Sequence, residues 1–341
     1  MNLSKNTSAE SVGILGAGNW GTVLALLASK QSPKVYLYDR DASRVEEMGR
    51  LRENRRYLPG VTLPEAIEFT SDLSQVFSNC NLVLPVVPSS AFRTLAKQYA
   101  PFTRGDHLLV HGTKGLEPIT HKRMSEILTE ETCCLRVGAL SGPNLALELA
   151  QAQPGATVVS SRFDEVIEAT QAIFSSTALR VYGNHDLVGV EWAGALKNIL
   201  AIAAGMLNEL KLGQNALAMV LTRGIAEISR LISAMGAHSS TLLGLAGIGD
   251  IIATCTSPLS RNFRAGQMLA QGKTRQEIEQ ALAMTIEGLN TISVAMELAA
   301  QKRLDMPITT ALWHIAFNQK PVIDAIRELM ERPSTFEFTF Q

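Results

Sequence analysis

The sequence predicts an α/β protein, with a doubly wound parallel sheet in its N-terminal half and an all-α C-terminal domain. Two observations support this prediction. From residue 11 to about 185, short apolar runs alternate with helix-like segments, a pattern typical of βαβ units. From Asp186 onward, the apolar residues keep a helical period. We therefore predict two domains, 1–185 and 186–341, which suits a chain of 341 residues.

The first predicted strand begins at Ser11, breaks into Gly16, Gly18 and Gly21, and continues as an apolar helix. A turn without side chains lets the backbone approach a pyrophosphate, and the N–H groups that open the helix supply hydrogen-bond donors. A Gly-x-Gly-x-x-Gly alone is often only a tight turn, but here it stands between a strand and a helix. The sequence therefore predicts a Rossmann-like dinucleotide-binding domain.

The second predicted strand, 34–39, ends in Asp39, at the distance where such folds place the residue that reads the ribose. Asp39 accepting from a 2′-hydroxyl would favour NAD. The next residue, Arg40, has a planar fork that suits a 2′-phosphate and would admit NADP. Both residues could also be solvated ends of a strand. The sequence leaves the choice of cofactor open.

Two later strands end in polar turns. His107–His111 runs into a turn that contains Lys114, and 136–141 runs into Ser141, Gly142 and Asn144. Ligands of open α/β sheets bind beyond the carboxyl ends of the strands, so we expect these residues to share a crevice with the glycine turn. The alternative for Lys114 is a solvated loop lysine. Another run, 81–89, predicts a strand that contains Pro85, which must bend there or point its missing N–H away from the sheet.

The segment 188–210 carries apolar residues on nearly all faces and is predicted to be a buried helix. Lys197 lies within it, and a buried lysine needs a partner or a task. Because burial weakens the hold of an ammonium group on its proton, Lys197 suits proton transfer. The alternative is a buried ion pair with Glu191 or another carboxylate. Further helices are predicted at 215–235, 275–283, 289–302, 309–317 and 321–331.

A second polar cluster begins with Asp250, a charge within an apolar, glycine-rich run. Thr254 follows four residues later, so the two share a face if this segment is helical. Arg261 and Asn262 offer several donors that match a phosphate. The cluster could instead be a packing corner between domains with a surface arginine. Together with Lys197, it favours a phosphorylated hydroxy substrate.

Composition limits the remaining classes of function. The formal net charge is −1, so no general field attracts nucleic acid or an anionic membrane. The four cysteines form no Cys-x-x-Cys pair, and no His spacing indicates a metal site. The first ten residues lack an apolar signal core, and 199–207 is short of a membrane span. We expect a cytoplasmic protein without a metal or a membrane span.

The chain closely resembles the bacterial NAD(P)-dependent glycerol-3-phosphate dehydrogenase family over nearly its full length. The motifs that carry this resemblance keep the family's order and spacing: Gly16–Thr22, Val87–Ser89, Thr113–Glu117, Ser141–Pro143, Gly194–Asn198, Thr222–Gly224, Gly249–Asp250, Thr254–Thr256, Ser260–Asn262 and Ile286–Gly288. The resemblance implies a 6-phosphogluconate-dehydrogenase-like fold. It also implies reversible hydride transfer between dihydroxyacetone phosphate and sn-glycerol 3-phosphate, which supplies phospholipid synthesis.

The resemblance further implies roles for individual residues. Lys197 would be the general acid/base, with Asp250 and Thr254 orienting it and the substrate hydroxyls. The implied substrate residues are Lys114, Gly142, Asn198, Ser260, Arg261 and Asn262. The implied cofactor residues are Gly16, Gly18, Asn19, Trp20, Gly21, Asp39, Arg40, Lys114, Ala146, Arg261, Thr285 and Glu287.

Four positions depart from residues that are frequent in the family: Asn19, Leu145, His185 and Thr285. None of them removes an implied catalytic group, but they affect the expected cofactor preference and the nicotinamide pocket. A dehydrogenase for another hydroxyacid or polyol phosphate on the same plan is one alternative. A non-enzymatic NAD(H) sensor is another, although a sensor needs no proton donor. The apolar helices leave room for a homodimer interface.

Overall fold

A computed structural model of the chain describes residues 11–282, 286–333 and 336–337. These residues form two compact units. The first comprises the described residues up to Ala195 together with Gly236–Ala253, and the second comprises Leu196–Met235 and the described residues from Thr254 onward. The boundary between 185 and 186 stays a prediction.

The first unit is built on an eight-stranded sheet in the order β10-β9-β8-β7-β6-β1-β2-β5. Its strands are β1 (Val12–Leu15), β2 (Val35–Tyr38), β5 (Ile67–Thr70), β6 (Leu82–Pro85), β7 (Leu108–His111), β8 (Val137–Ser141), β9 (Gly155–Ser161) and β10 (Leu179–Asn184). The predicted α/β class is confirmed. One pair differs from the expected parallel sheet, since β8 and β9 are antiparallel.

Helices cover both faces of this sheet, as its buried strands require. They are α1 (Asn19–Ala28), α2 (Ala42–Leu51), α3 (Leu73–Asn79), α4 (Ser89–Tyr99), α5 (Met124–Glu131), α6 (Ala146–Ala150) and α7 (Asp164–Phe174). Val12 and Ile14 of β1 belong to one apolar core, together with Leu24 of α1. Leu15 belongs to a second core, with Phe77 of α3. The alternation along β1 therefore supplies both layers.

Pro85 is the last residue of β6, which lies between β1 and β7. Its carbonyl accepts a hydrogen bond from the N–H of Gly112, and the N–H of Val86 donates to Leu15. Pro85 therefore lies at the C-terminal end of a strand in the interior of the sheet. Its missing N–H falls where the strand ends, and its carbonyl and the N–H of Val86 still bond to the neighbouring segments.

A short hairpin follows α2. Its strands are β3 (Glu53–Asn54) and β4 (Leu58–Thr62), which pair antiparallel. The side chain of Arg52 donates to the carbonyls of Leu63 and Ile67 and fixes the hairpin to the chain that follows.

The second unit is helical, as predicted. It contains α9 (Gln214–Ala234), α11 (Arg261–Ala270), α12 (Arg275–Leu282), α13 (Glu287–Lys302), α14 (Pro307–Asn318) and α15 (Val322–Met330), whereas α8 (Leu187–Glu209) and α10 (Asp250–Cys255) each contribute to both units. The five further helices predicted from the sequence correspond to α9 and α12–α15. Helix α8 is long and apolar enough to cross a membrane, but 94% of its most apolar window is buried inside the protein.

Two glycines let α8 and α11 touch backbone to backbone. A Cβ on Gly205 would lie 1.9 Å from the carbonyl oxygen of Phe263, and one on Gly266 would lie 2.0 Å from that of Ile202. Only glycine allows this approach. The contact fixes the first half of α11 relative to the C-terminal third of α8 within the second unit.

Candidate active site

The glycine turn at the start of α1 has two positions that require glycine and one that faces open space. Gly16 has a φ of +118°, and a Cβ on Gly21 would lie 1.9 Å from the carbonyl oxygen of Gly16, so both positions require glycine. A Cβ on Gly18 would meet nothing within 4 Å. This open space lies in front of the first N–H groups of α1, those of Asn19 and Trp20, which suits the pyrophosphate of a dinucleotide. The residues present therefore fit this cofactor.

The turn that follows β7 lies close to the side chain of Trp20 in α1. A Cβ on Gly112, which directly follows β7, would lie 3.0 Å from the indole Nε1 of Trp20. That Nε1 is buried without a hydrogen-bond partner. The turn after β7, which carries Lys114, thus lies against the first turn of α1, as the sequence predicted.

Asn54 of the hairpin braces the glycine turn, a role that the sequence analysis missed. Its buried amide donates to the carbonyl of Ala17 at 2.9 Å and to Thr22 Oγ1 at 2.8 Å. Thr22 Oγ1 in turn donates to the carbonyl of Gly18. The only sequence signal was the Glu-Asn-Arg-Arg-Tyr stretch before Leu58, where a buried asparagine stands among charged residues.

Asp39 lies directly after β2 and is buried. Its Oδ1 accepts hydrogen bonds from the N–H of Asp41 at 2.9 Å and from Arg44 Nη2 at 2.5 Å. Arg40 is exposed. Arg44 was not predicted from the sequence, although it lies three residues after the helix-capping Asp41, in the first turn of α2.

Lys114 is held by two groups of the first unit. Its Nζ donates to the carbonyl of Gly142 at 2.7 Å and to Asp250 Oδ2 at 2.6 Å. Asp250 is buried and pairs with Lys114, which explains why an acid lies within an apolar run. The Oγ of Ser141 is buried without a hydrogen-bond partner, and Asn144 donates to Thr157. Lys114 and Gly142, which were expected to share a crevice, are in direct contact, and Lys114 is no solvated loop residue.

A buried carboxylate, Glu191, ties three segments of the first unit together. His111 Nε2 lies 3.0 Å from its Oε1, Arg123 Nη1 donates to its Oε2 at 2.6 Å, and Ser125 donates through both its N–H and its Oγ. Burial alone would raise the pKa of Glu191, but the bonds from His111 and the charge of Arg123 lower it to about 2. Both oxygens of Glu191 are occupied, so it is not available as the counter-charge for Lys197.

Lys197 projects from α8 in the second unit and is buried, with 6% of its surface exposed. Its Nζ donates to Thr254 Oγ1 at 2.5 Å, and Thr254 is buried as well. A hydroxyl oxygen accepts a hydrogen bond, so Thr254 helps to orient the ammonium group of Lys197. The pair joins two residues that lie 57 positions apart in the sequence.

A group of polar residues surrounds the start of α11 in the second unit. Ser260 caps this helix by accepting from the N–H of Phe263, and Arg261 and Asn262 are its first two residues. Asn262 Oδ1 accepts from the N–H of Gly288 at 3.0 Å, while a Cβ on Gly288 would lie 3.0 Å from the carbonyl of Asn198. An exposed arginine at a helix N-terminus is well suited to a phosphate.

The remaining predicted residues stand as follows. Ala146 is the first residue of α6, and Glu287 is the first residue of α13, next to Gly288. Thr285 lies outside the described residues. Among the residues that the structure describes, no group of three or more His, Cys, Asp or Glu side chains could hold a metal ion.

Comparison with known proteins gives matches in both halves. The sequence-family model of the NAD-dependent glycerol-3-phosphate dehydrogenase N-terminus matches residues 11–167. The family model of the C-terminus of the same enzyme matches residues 186–327. The chain is 44% identical to glycerol-3-phosphate dehydrogenase [NAD(P)+] of Moorella thermoacetica over 96% of this chain and 98% of the relative. It is 39% identical to the enzyme of the same name from Shouchella clausii, with the same coverage of each chain.

Solved structures agree with these matches. The crystal structure of glycerol-3-phosphate dehydrogenase from Coxiella burnetii superposes with a TM-score of 0.90 at 37% identity, covering 95% of this chain and 99% of the other. The Plasmodium falciparum glycerol-3-phosphate dehydrogenase structure shares the fold, with a TM-score of 0.89 at 22% identity and coverage of 96% and 97%.

Proposed function

The chain belongs to the NAD-dependent glycerol-3-phosphate dehydrogenase family, and from that premise we propose that it catalyses reversible hydride transfer between dihydroxyacetone phosphate and sn-glycerol 3-phosphate. The observation that carries the proposal is the buried Lys197–Thr254 pair, held in the same unit as the polar start of α11. A proton donor and an anion-binding helix end are what a phosphorylated ketone requires. The product would supply the glycerol backbone of phospholipids.

Lys197 is the general acid in the reductive direction. When bound, the reduced nicotinamide supplies the hydride that C2 of the ketone receives. Lys197 donates a proton to the oxygen on C2, so that the carbonyl becomes a hydroxyl and no charge is left on the substrate oxygen. In the oxidative direction the same amine takes that proton back. Positioned proton transfer of this kind contributes about a hundred- to ten-thousand-fold in rate.

Thr254 and Asp250 orient the two lysines. Thr254 accepts from Lys197 and directs its Nζ, whereas the carboxylate of Asp250 holds Lys114. Lys114 is a contact for the cofactor and the substrate, together with Gly142, whose carbonyl also fixes it. The resemblance implies that Asp250 and Thr254 both orient Lys197, and the bond from Lys197 to Thr254 supports that role for Thr254.

The substrate phosphate is bound by the polar group at the start of α11. Arg261 supplies a planar guanidinium, and the helix start supplies backbone N–H groups. Ser260, Asn262 and Asn198 shape this region, since Asn262 is fixed by Gly288 and Gly288 packs on the backbone of Asn198. Binding energy from the phosphate is available for positioning the ketone, which is remote from it.

The dinucleotide is bound by the first unit through the glycine turn. The proposed contacts there are Gly16, Gly18, Asn19, Trp20, Gly21, Asp39, Arg40, Lys114 and Ala146. Arg261, Thr285 and Glu287 are further proposed cofactor residues, carried over from the resemblance of their motifs. The open space at Gly18 and the N–H groups of α1 support this assignment. NAD(H) and NADP(H) are both cofactors of the named relatives.

The partner of the protein in this proposal is a small molecule. A cytoplasmic location and a homodimer are also part of it. Exposed apolar side chains in the second unit, Leu259, Ile323 and Met330, are candidates for a surface between copies. Light scattering after gel filtration measures the mass in solution, and a mass of one chain at micromolar concentration contradicts the homodimer.

A substrate panel tests the proposed reaction. Purified protein is mixed with NADH or NADPH and, in parallel, with dihydroxyacetone phosphate, dihydroxyacetone and other phosphorylated ketones or 2-ketoacids. We expect rapid loss of dihydronicotinamide absorbance with dihydroxyacetone phosphate alone. Faster oxidation with another ketone would favour a different hydroxyacid or polyol phosphate. Nucleotide binding without oxidation of any ketone would favour a sensor.

A further inference from the structure

The acid that ends β2 is already engaged within the protein. In dinucleotide-binding folds, an acid at this position reads the ribose by accepting a hydrogen bond from its 2′-hydroxyl, and its charge repels a 2′-phosphate. Here Asp39 Oδ1 accepts both the N–H of Asp41 and Nη2 of Arg44. The Asp39 side chain is 7% exposed and that of Arg44 is 21% exposed. The charge of Asp39 is therefore compensated by a neighbour that itself reaches the surface.

Arg44 is held in place from three sides. Its backbone N–H donates a hydrogen bond to the capping carboxylate of Asp41, at the first turn of α2. Its guanidinium lies 5.9 Å from the centre of the Tyr57 ring, and Arg56 lies 5.3 Å from the same ring. A long side chain that is fixed by an ion pair and an aromatic ring loses little further freedom when it meets a ligand.

The charges around the end of β2 favour an anion. Three guanidinium groups, those of Arg40, Arg44 and Arg56, stand on the segments that pack there, against the carboxylates of Asp39 and Asp41. Arg40 is exposed, and the planar fork of arginine matches a phosphate. The first N–H groups of α2 are satisfied by Asp41, so the helix end adds no separate site.

We propose that Arg44 is a specificity-determining residue for the cofactor. By pairing with Asp39 it removes the repulsion that would exclude a 2′-phosphate, and with Arg40 it binds that phosphate. The chain accordingly binds NADP(H) at least as tightly as NAD(H). This inference rests on the proposed function, since it concerns the nucleotide that the same site binds, and it names the residue that decides between the two cofactors.

Calorimetric titration with NADPH and NADH, without substrate, tests the inference. The variants are Arg44→Met and, as a matched control, Arg50→Met, which removes an exposed arginine from the same helix. We expect Arg44→Met to weaken NADPH binding by roughly tenfold or more, as for the loss of one charged hydrogen bond, with little loss of NADH binding. Arg50→Met should keep the wild-type ratio of the two dissociation constants.

Several outcomes of these titrations would overturn the role proposed for Arg44. An unchanged ratio in Arg44→Met, or equal weakening of both nucleotides, overturns the proposal, because equal weakening indicates only a structural role. A wild-type protein that binds NADH ten times more tightly than NADPH also overturns it. In the Arg44→Met background, Asp39→Asn should recover part of the NADPH affinity by removing the uncompensated carboxylate, and no recovery contradicts the role assigned to the pair.

Binding and turnover separate this inference from the proposed reaction. If the wild type shows the expected nucleotide ratio but oxidises neither cofactor with dihydroxyacetone phosphate, the reaction is wrong and the role of Arg44 stands. If it turns over and Arg44→Met keeps the wild-type nucleotide ratio, the role of Arg44 alone is wrong. Thermal melting of each variant confirms that the first unit is folded in every titration.

Discussion

Replacement of Glu191 by glutamine should destabilise the protein strongly, although it removes no group that touches substrate. Glu191 is buried and accepts four hydrogen bonds, from His111, Arg123 and Ser125. A carboxylate whose pKa falls from 4.5 to about 2 on folding stabilises the folded state by about 3 kcal/mol at neutral pH. A neutral glutamine loses that stabilisation and leaves the guanidinium of Arg123 with only the exposed carboxylate of Glu126 as a counter-charge.

The pH dependence follows from the same numbers. The folded-state pKa lies below the unfolded value, so the stabilisation is present above pH 4.5 and is lost as the pH falls toward 2. At pH 4 the wild type should already have lost about 1 kcal/mol of it. The difference between wild type and Glu191→Gln should therefore be constant from pH 7 to about pH 5.5 and smaller at pH 4.

Urea unfolding followed by circular dichroism at pH 7, 5.5 and 4 measures these free energies. Glu168→Gln is the matched control, because this glutamate is exposed on α7 and its replacement should change stability by less than about 0.5 kcal/mol. A loss of less than about 1 kcal/mol of stability in Glu191→Gln at pH 7 would contradict this role of Glu191. So would a difference from the wild type that stays the same at pH 4.

Three further predictions concern binding. Arg261→Ala should raise the Michaelis constant for dihydroxyacetone phosphate by roughly a hundredfold, as for the loss of a charged contact. Arg264→Ala, which removes an exposed arginine from the same helix, should leave this constant unchanged. Equal Michaelis constants in the two variants would reject the phosphate role of Arg261. Asn54→Asp keeps the acceptor but loses the two donated bonds to the glycine turn, so calorimetry should show weaker binding of both nucleotides, and wild-type affinity contradicts the bracing role. Gly18→Ala should melt at the wild-type temperature, because the added Cβ meets no atom within 4 Å, but it should bind nucleotide poorly. Gly21→Ala should lower the melting temperature, because its Cβ would lie 1.9 Å from a backbone oxygen.

The sequence predicted the features that depend on local period and on residue type. Alternating apolar runs indicated the sheet, and a helical period indicated the second half. The glycine turn was recognisable because few other structures need glycines at that spacing between a strand and a helix. Lys197 was noticeable because a cation within an apolar helix is rare.

Features that depend on distant partners were not predictable. The direction of β9 relative to β8 is set by pairing between strands, and both directions have the same apolar pattern. Asn54 contacts Ala17 across 37 positions, and Arg44 pairs with Asp39 through a side chain whose direction no periodicity specifies. The bond from Lys114 to Asp250 likewise joins residues that lie 136 positions apart in the sequence.

The central claim is that Lys197 transfers the proton in a glycerol-3-phosphate dehydrogenase reaction, and one measurement tests it most directly. Lys197→Met and the wild type are mixed with dihydroxyacetone phosphate and saturating reduced nucleotide, after calorimetry has shown that both bind the nucleotide. We expect the variant to oxidise the nucleotide at least about a hundredfold more slowly, with its nucleotide affinity nearly unchanged. A rate within a few fold of the wild type would contradict it.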